Sequence, residues 1–227
     1  MSLSNIYDNY LVEPLAATFA MAPVYRGFLA KSALQKGERI ARMNFVSSLN
    51  KGMKAAPLIG VTVGLQLQAQ RLIEAQFEGF EVQQQLKTLA SCFCVGVIST
   101  PCLAAFNGLT LSRGMLASIR LLTMKETAAI IARETSFVLP LTLSPILTQK
   151  VQKKFGKNIA LECATVYTTA AAGSLIGHPA DTLLTLWQSG KRVEHMRDLL
   201  RGSMVKSRTV GTFALLYHIA IIHLKKQ

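Results

Sequence analysis

Long apolar runs alternate with shorter polar, basic stretches along the whole chain, and the alternation has a period. Three of the runs end in a proline: FAMAP at Pro23, VISTP at Pro101 and LIGHP at Pro179. The prolines follow one another at equal intervals of 78 residues, so three units of that size nearly account for the chain. Internal repeats of this kind decide the architecture before any local reading does. Each unit has the same order. An apolar segment leads into the proline, at roughly 4–23, 83–106 and 158–184. A basic stretch follows, ending in LNKG, LTMK or LLRG, and then a second apolar segment at roughly 53–73, 126–149 and 203–224.

These segments are close to the ~20 residues that a helix needs to cross the hydrocarbon of a bilayer. They lack the alternation of a membrane β-barrel strand, which leaves helices as the spanning element. The pattern therefore predicts one domain over 1–227, built as an all-α membrane protein. Its six transmembrane helices form three tandem hairpins, with repeats at about 1–78, 79–156 and 157–227. The first segment, carrying Asp8, Glu13 and Pro14, needs neighbours to shield it. Small residues at helical spacing (Ala16 and Ala20, Gly60 and Gly64, Gly173 and Gly177) predict close helix packing.

Composition supports the lipid setting. Half of the residues are apolar and only 16% are charged, whereas soluble domains carry about 25%; a globule of this size would lack charge to cover its surface. The net charge of +13 raises nucleic acid as a partner. Aromatics are sparse, however, and no helix pairs a basic face with a polar one, so the charge reads as a topology signal at membrane edges. The post-proline stretches hold sixteen basic residues, among them Arg26, Lys31, Arg42, Arg113, Lys206 and Arg208, against three acids; the opposite side is nearly balanced. One basic face results, suited to anionic lipid. The N-terminus lacks a secretory signal or an Arg-rich presequence, so an organellar address would be internal.

Candidate chemistry is sparse. Cys92 and Cys94 form one x-separated pair without a second, a weak metal signal beside the ordinary role of small buried residues. His195, His218 and His223 show no ligand spacing with a cysteine or acid, and Trp187 fits an interface belt. No nucleophile–base set, phosphate loop or metal motif is visible; neither an enzyme nor a cofactor is expected. Two features stand out. Asp181 lies two residues after Pro179 in an apolar setting, and Arg133 with Glu134 interrupts the fourth apolar segment, where ionisable groups are costly. Adjacent helical residues point about 100° apart, so each of that pair is expected to find its partner elsewhere or to face a watery cavity. An inter-helix ion pair and a substrate contact both satisfy that requirement.

Three two-helix repeats, a proline closing each odd helix, and a basic-glycine pair before an even helix (Lys51–Gly52, Arg201–Gly202) resemble the mitochondrial carrier family. PADTLLTLWQ resembles its signature at Pro179, Asp181 and Gln188. The resemblance implies a monomeric, pseudo-threefold six-helix barrel in the mitochondrial inner membrane, moving a small solute through a central cavity by alternating access. The acid of one repeat would pair with a base of the next to close the matrix side, braced by the glutamine.

This chain departs from that pattern. The acid positions of the first two repeats hold Tyr25 and Leu103, and the base positions hold Phe28, Phe106 and Leu184. Asp181 then has Arg26, Arg113 or another loop base as its partner, or is solvated at the membrane edge. Tyr25, Phe28, Phe106 and Leu184 form a candidate apolar plug. The resemblance places substrate contacts at Arg133 and Glu134, with Ile59, Gly60, Thr209 and the off-register Arg208 at the matching positions, and an amino-acid-like solute. Glu126 stands where a glycine is expected. The alternative is a degenerate carrier that no longer transports and serves as a mitochondrial interaction protein, in the outer membrane for example.

Overall fold

The computed structural model describes residues 11–40, 44–77 and 83–225, with backbone alone described at 84–85 and 137–146. Asp8 and Arg42 lie outside the described residues. The described chain is all-helical. Eight α-helices run in order: α1 (Val12–Gln35), α2 (Phe45–Phe77), α3 (Gln84–Thr110), α4 (Met115–Arg120), α5 (Met124–Phe155), α6 (Ile159–Ile176), α7 (His178–Gln188) and α8 (Ser203–Leu224). A 3₁₀ turn at Met196–Leu200 precedes α8. The even-numbered apolar segments are all found as helices, and the last agrees at both ends. However, α2 starts eight residues before its expected bound, so Lys51 and Gly52 lie inside the helix and do not precede it, and α5 runs six residues past its expected end.

The prolines do not act as expected. α1 continues through Pro23 to Gln35 and α3 through Pro101 to Thr110. Proline removes one backbone donor and strains the preceding turn, and around Pro101 the hydroxyls of Ser99 and Thr100 bond back to the Val95 and Gly96 carbonyls at 2.7 and 2.8 Å. Such back-bonding bends a helix slightly, while the carbonyl that Pro101 leaves without an N–H donor is that of Val97, four residues before it. The third repeat alone is broken. α6 stops at Ile176, Gly177 caps it, and Pro179 opens α7, a position at which its missing N–H costs nothing.

The long helices close into a ring. α1 packs on α2, α2 on α3, α3 on α5, α5 on α6, α6 on α8, and α8 returns to α1. Glycines set the tightest approaches. Gly60 faces Thr18 and the Pro14 carbonyl, Gly64 faces the Pro14 ring, and Gly177 faces the Arg133 carbonyl, with no room at Gly60 or Gly177 for an unstrained methyl group. Gly202 starts α8 with φ of +79°, a left-handed conformation that glycine adopts without steric cost. Glu126, standing where a glycine is expected, closes a capping box with Thr123 at the start of α5.

Polarity is distributed inside out. Phe19, Val61, Leu72, Phe93, Ile98 and Ile176 are all exposed, while Lys31, Gln35, Asn107, Arg133, Glu134, Asp181, Gln188 and Lys206 are buried. Among the described residues two helices, Leu86–Thr110 and Ile159–Ile176, are long and apolar enough to cross a membrane. The other long helices carry charged, histidine or glutamine side chains that lower their hydropathy. Several of these, such as Lys31, Arg133 and Lys206, point into the ring.

Candidate functional site: a buried ionic cluster in a central cavity

The ring encloses a cavity with about 820 Å³ of empty space, its open mouth included. Every long helix contributes to its wall: Met21 and Phe28 from α1, Ile59 and Gln66 from α2, Leu103 and Phe106 from α3, Arg133 and Glu134 from α5, Ser174 from α6, and Val210 and Phe213 from α8.

Asp181, on the first turn of α7, lies at the centre of the cavity's charged groups and is only 1% exposed. Its Oδ2 accepts from Lys31 Nζ at 3.0 Å and Gln35 Nε2 at 3.0 Å, and lies 3.3 Å from Lys206 Nζ. Its Oδ1 accepts from Arg133 Nη1 at 3.2 Å. One carboxylate thus draws a cation from each of the three sequence repeats. Burial of an ion is costly unless it is paired and hydrogen-bonded, and a carboxylate with three hydrogen-bond donors and a further ion-pair partner meets that condition. Of the expected partners, another loop base is what Asp181 takes: Lys31 and Lys206 both belong to the basic post-proline stretches, whereas Arg26 is exposed, Arg113 donates to the Gln188 carbonyl, and Asp181 is not at a solvated edge.

Arg133 and Glu134 pair with each other, Nε to Oε1 at 3.0 Å. Each also has the outside partner and the cavity face that the 100° offset predicts; only their mutual pairing was unexpected, because the offset describes Cβ directions. The arginine stem is long enough to bring its Nε–H round to the neighbouring carboxylate while Nη1 reaches Asp181. Glu134 Oε2 also accepts from Gln66 Nε2 at 3.2 Å, linking α5 to α2.

A polar circuit crosses one end of the ring and joins the three post-proline segments pairwise. Ser32 Oγ donates to Thr110 Oγ1 at 3.1 Å, linking α1 to α3. Asn107 donates to Gln188, linking α3 to α7. Thr185 Oγ1 donates to Gln35 Oε1 at 2.9 Å and Gln35 Nε2 to Thr182 Oγ1 at 2.9 Å, linking α7 to α1. Ser32, Thr110 and Gln188 each stand nine residues after their proline. Beside the circuit, Tyr25 and Phe28 meet the Phe106 ring edge-on at centroid distances of 6.2 and 5.7 Å. Leu184 packs instead with Leu103 and Ile130, so the candidate plug is divided between two clusters.

The other candidate positions divide by the face they occupy. Ile59, Arg133 and Glu134 line the cavity. Gly60 packs on α1, and Thr209 Oγ1 bonds back to the Val205 carbonyl against Gly27, leaving Val210 as the lining residue of that pair. Arg208 is exposed on the outer face; the inward base of α8 is Lys206. Gly52 seats α2 against the Ala22 carbonyl, and Gly202 lies 3.2 Å, by its missing Cβ, from the Lys31 carbonyl. His178, fully buried, contacts the Arg201 carbonyl at 3.0 Å. His218 stands 3.1 Å from Glu162, a neighbour that spacing did not reveal.

The continuation of α1 through Pro23 takes Lys31 out of the post-proline loop, and Lys206, grouped by charge with the basic stretch before α8, lies inside that helix. The available signal is helical spacing: Val24, Phe28, Lys31 and Gln35 fall on one face of a continuous helix, as do Lys206, Val210 and Phe213. Compared with known protein-family models and with curated protein sequences, the chain matches none.

Proposed function

We propose that this chain is a carrier-type membrane protein whose six long helices span a bilayer, the mitochondrial inner membrane, around a solute path. One observation carries the reading: a ring of helices with apolar side chains outward and an ionic, hydrogen-bonded interior around a cavity to which every long helix contributes. In water that arrangement would expose large apolar patches and bury charge without return. In lipid both costs reverse, since intramembrane ionisable groups face the bundle interior or a water-filled cavity. The polar circuit of α1, α3 and α7 is then one gate and the ionic cluster is the solute site above it. The solute is a small anionic or zwitterionic metabolite. Solute moves by alternating access, with the circuit opening as the opposite mouth closes. The protein works as a monomer, with anionic lipid against its basic loop face.

The test is exchange in liposomes containing the purified protein, across amino acids, keto acids and nucleotides. Uptake that depends on internal counter-solute and falls at least tenfold in Arg133→Ala is expected. No uptake of any of these by well-folded protein defeats the transport reading.

A second reading is a carrier-like protein that no longer transports. It is favoured by the three-acid gate of the resemblance being reduced here to Asp181, with neutral hydrogen bonds and an aromatic cluster in place of the rest. It predicts intact folding, no exchange, and stable association with another mitochondrial membrane protein.

A further inference from the structure

The buried cluster does not balance. Three cations (Lys31, Arg133 and Lys206) face two carboxylates (Asp181 and Glu134), which leaves one positive charge in excess. Both carboxylates are already engaged: Asp181 by three cations and Gln35, Glu134 by Arg133 and Gln66. An ammonium entering the cavity would find no carboxylate without a cation. An anion would find two lysines that share one oxygen, Oδ2, at 3.0 and 3.3 Å. Each ammonium has three N–H donors, more than that single oxygen can take up.

The rest of the wall offers an anion little. The hydroxyls of Thr62, Thr110 and Ser174 donate to backbone carbonyls at 2.7, 2.8 and 2.8 Å. Between them the lining is Met21, Phe28, Ile59, Leu103, Phe106 and Phe213. A site with one cationic end and an apolar body selects a ligand of the same form, a few polar groups fixing orientation and apolar walls supplying contact. We infer that the cavity binds a monocarboxylate with an apolar body and rejects the zwitterion that the Arg133–Glu134 pair had implied. The inference rests on the cavity being the solute site of the proposed function, and narrows its substrate class.

The experiment is thermal unfolding of the full chain in detergent with sodium hexanoate, hexylammonium chloride, leucine or sodium nitrate. A ligand that binds the folded state raises its melting temperature by mass action. Hexanoate is expected to raise it in proportion to log concentration, and the other three to leave it in place. In Lys206→Gln the excess charge is gone, so hexanoate affinity falls roughly tenfold or more, while the unliganded protein melts no lower than the wild type. Lys31→Gln makes the same test should Lys206→Gln not fold.

The inference is overturned if hexanoate gives no shift, if leucine or nitrate gives an equal one, or if the shift survives in the folded lysine variants. Its failure is separable from that of the transport proposal. Hexanoate binding without liposome exchange removes transport and keeps the site, whereas exchange of amino acids without hexanoate binding does the reverse.

Discussion

Asp181 is the residue on which the interior depends most. Replacing it by asparagine leaves Lys31, Arg133 and Lys206 clustered with Glu134 as their one carboxylate, and loss of one partner from a buried ionic set costs about 3–5 kcal/mol. Asp181→Asn is therefore expected to melt well below the wild type in detergent, with Lys206→Met in the same background recovering part of the loss. Gly202→Ala is a backbone test at the same scale. The left-handed φ alone costs about 1–2 kcal/mol, and the added methyl group meets the Lys31 carbonyl at 3.2 Å. A lower melting temperature without any change in ligand selectivity is expected.

Outside the helical ring, the His195 backbone N–H, and beside it the Arg201 guanidinium, hold the Asp198 carboxyl below its ordinary value of 3.8. A depressed carboxyl stabilises the fold above the unfolded value and loses that contribution as pH falls through the lower, folded one. The stability difference between wild type and Asp198→Asn should then be full at neutral pH and shrink below pH 3.8.

At the scale of elements, glycine contacts set helix spacing, and the contact of α1 with α2 is the closest test. A valine at Gly60 would collide with Thr18 and the Pro14 carbonyl; overpacking of this kind costs about 1–3 kcal/mol. Gly60→Val should lower the melting temperature, while Gly114→Ala, whose added methyl group meets the Ala117 Cβ at an ordinary 3.9 Å, should not lower it comparably. The limits of α8 were legible because Gly202 and a basic residue precede a continuous apolar run. The limits of α1 and α3 were not, because proline ends a helix in water but is tolerated inside membrane helices. That one error moved Lys31 and Gln35 from a loop into the interior. The pairing of Arg133 with Glu134 was hidden for another reason: helical spacing gives Cβ directions, and long side chains end elsewhere.

For the whole molecule, the apolar exterior makes a depth-dependent prediction. Phe93, half exposed on the outer face of α3, faces hydrocarbon if the ring spans a bilayer. A charged residue at the centre of such a helix costs ~3 kcal/mol of insertion. Phe93→Lys should reduce the membrane-integrated yield, and Phe93→Leu should not; equal yields would sink the spanning assignment. The tandem order was legible at this scale from the 78-residue interval. Of the inward charges, Asp181, Arg133 and Glu134 were legible from their apolar setting, and Lys31 and Lys206 were not, since they lie in basic stretches that read as loops. Which charges meet was not legible either, since that depends on how far each helix runs.

The sharing of one carboxylate by all three hairpins has a kinetic corollary. Were each hairpin fastened by its own bond, the bundle could loosen hairpin by hairpin through stable halfway shapes. With a common anchor, freeing Lys31 or Lys206 leaves a cation with no carboxylate of its own, and freeing Arg133 leaves it Glu134 alone, so halfway shapes are penalised. Rearrangement of this interior should be an all-at-once event, in which the three arms let go of α7 together or not at all.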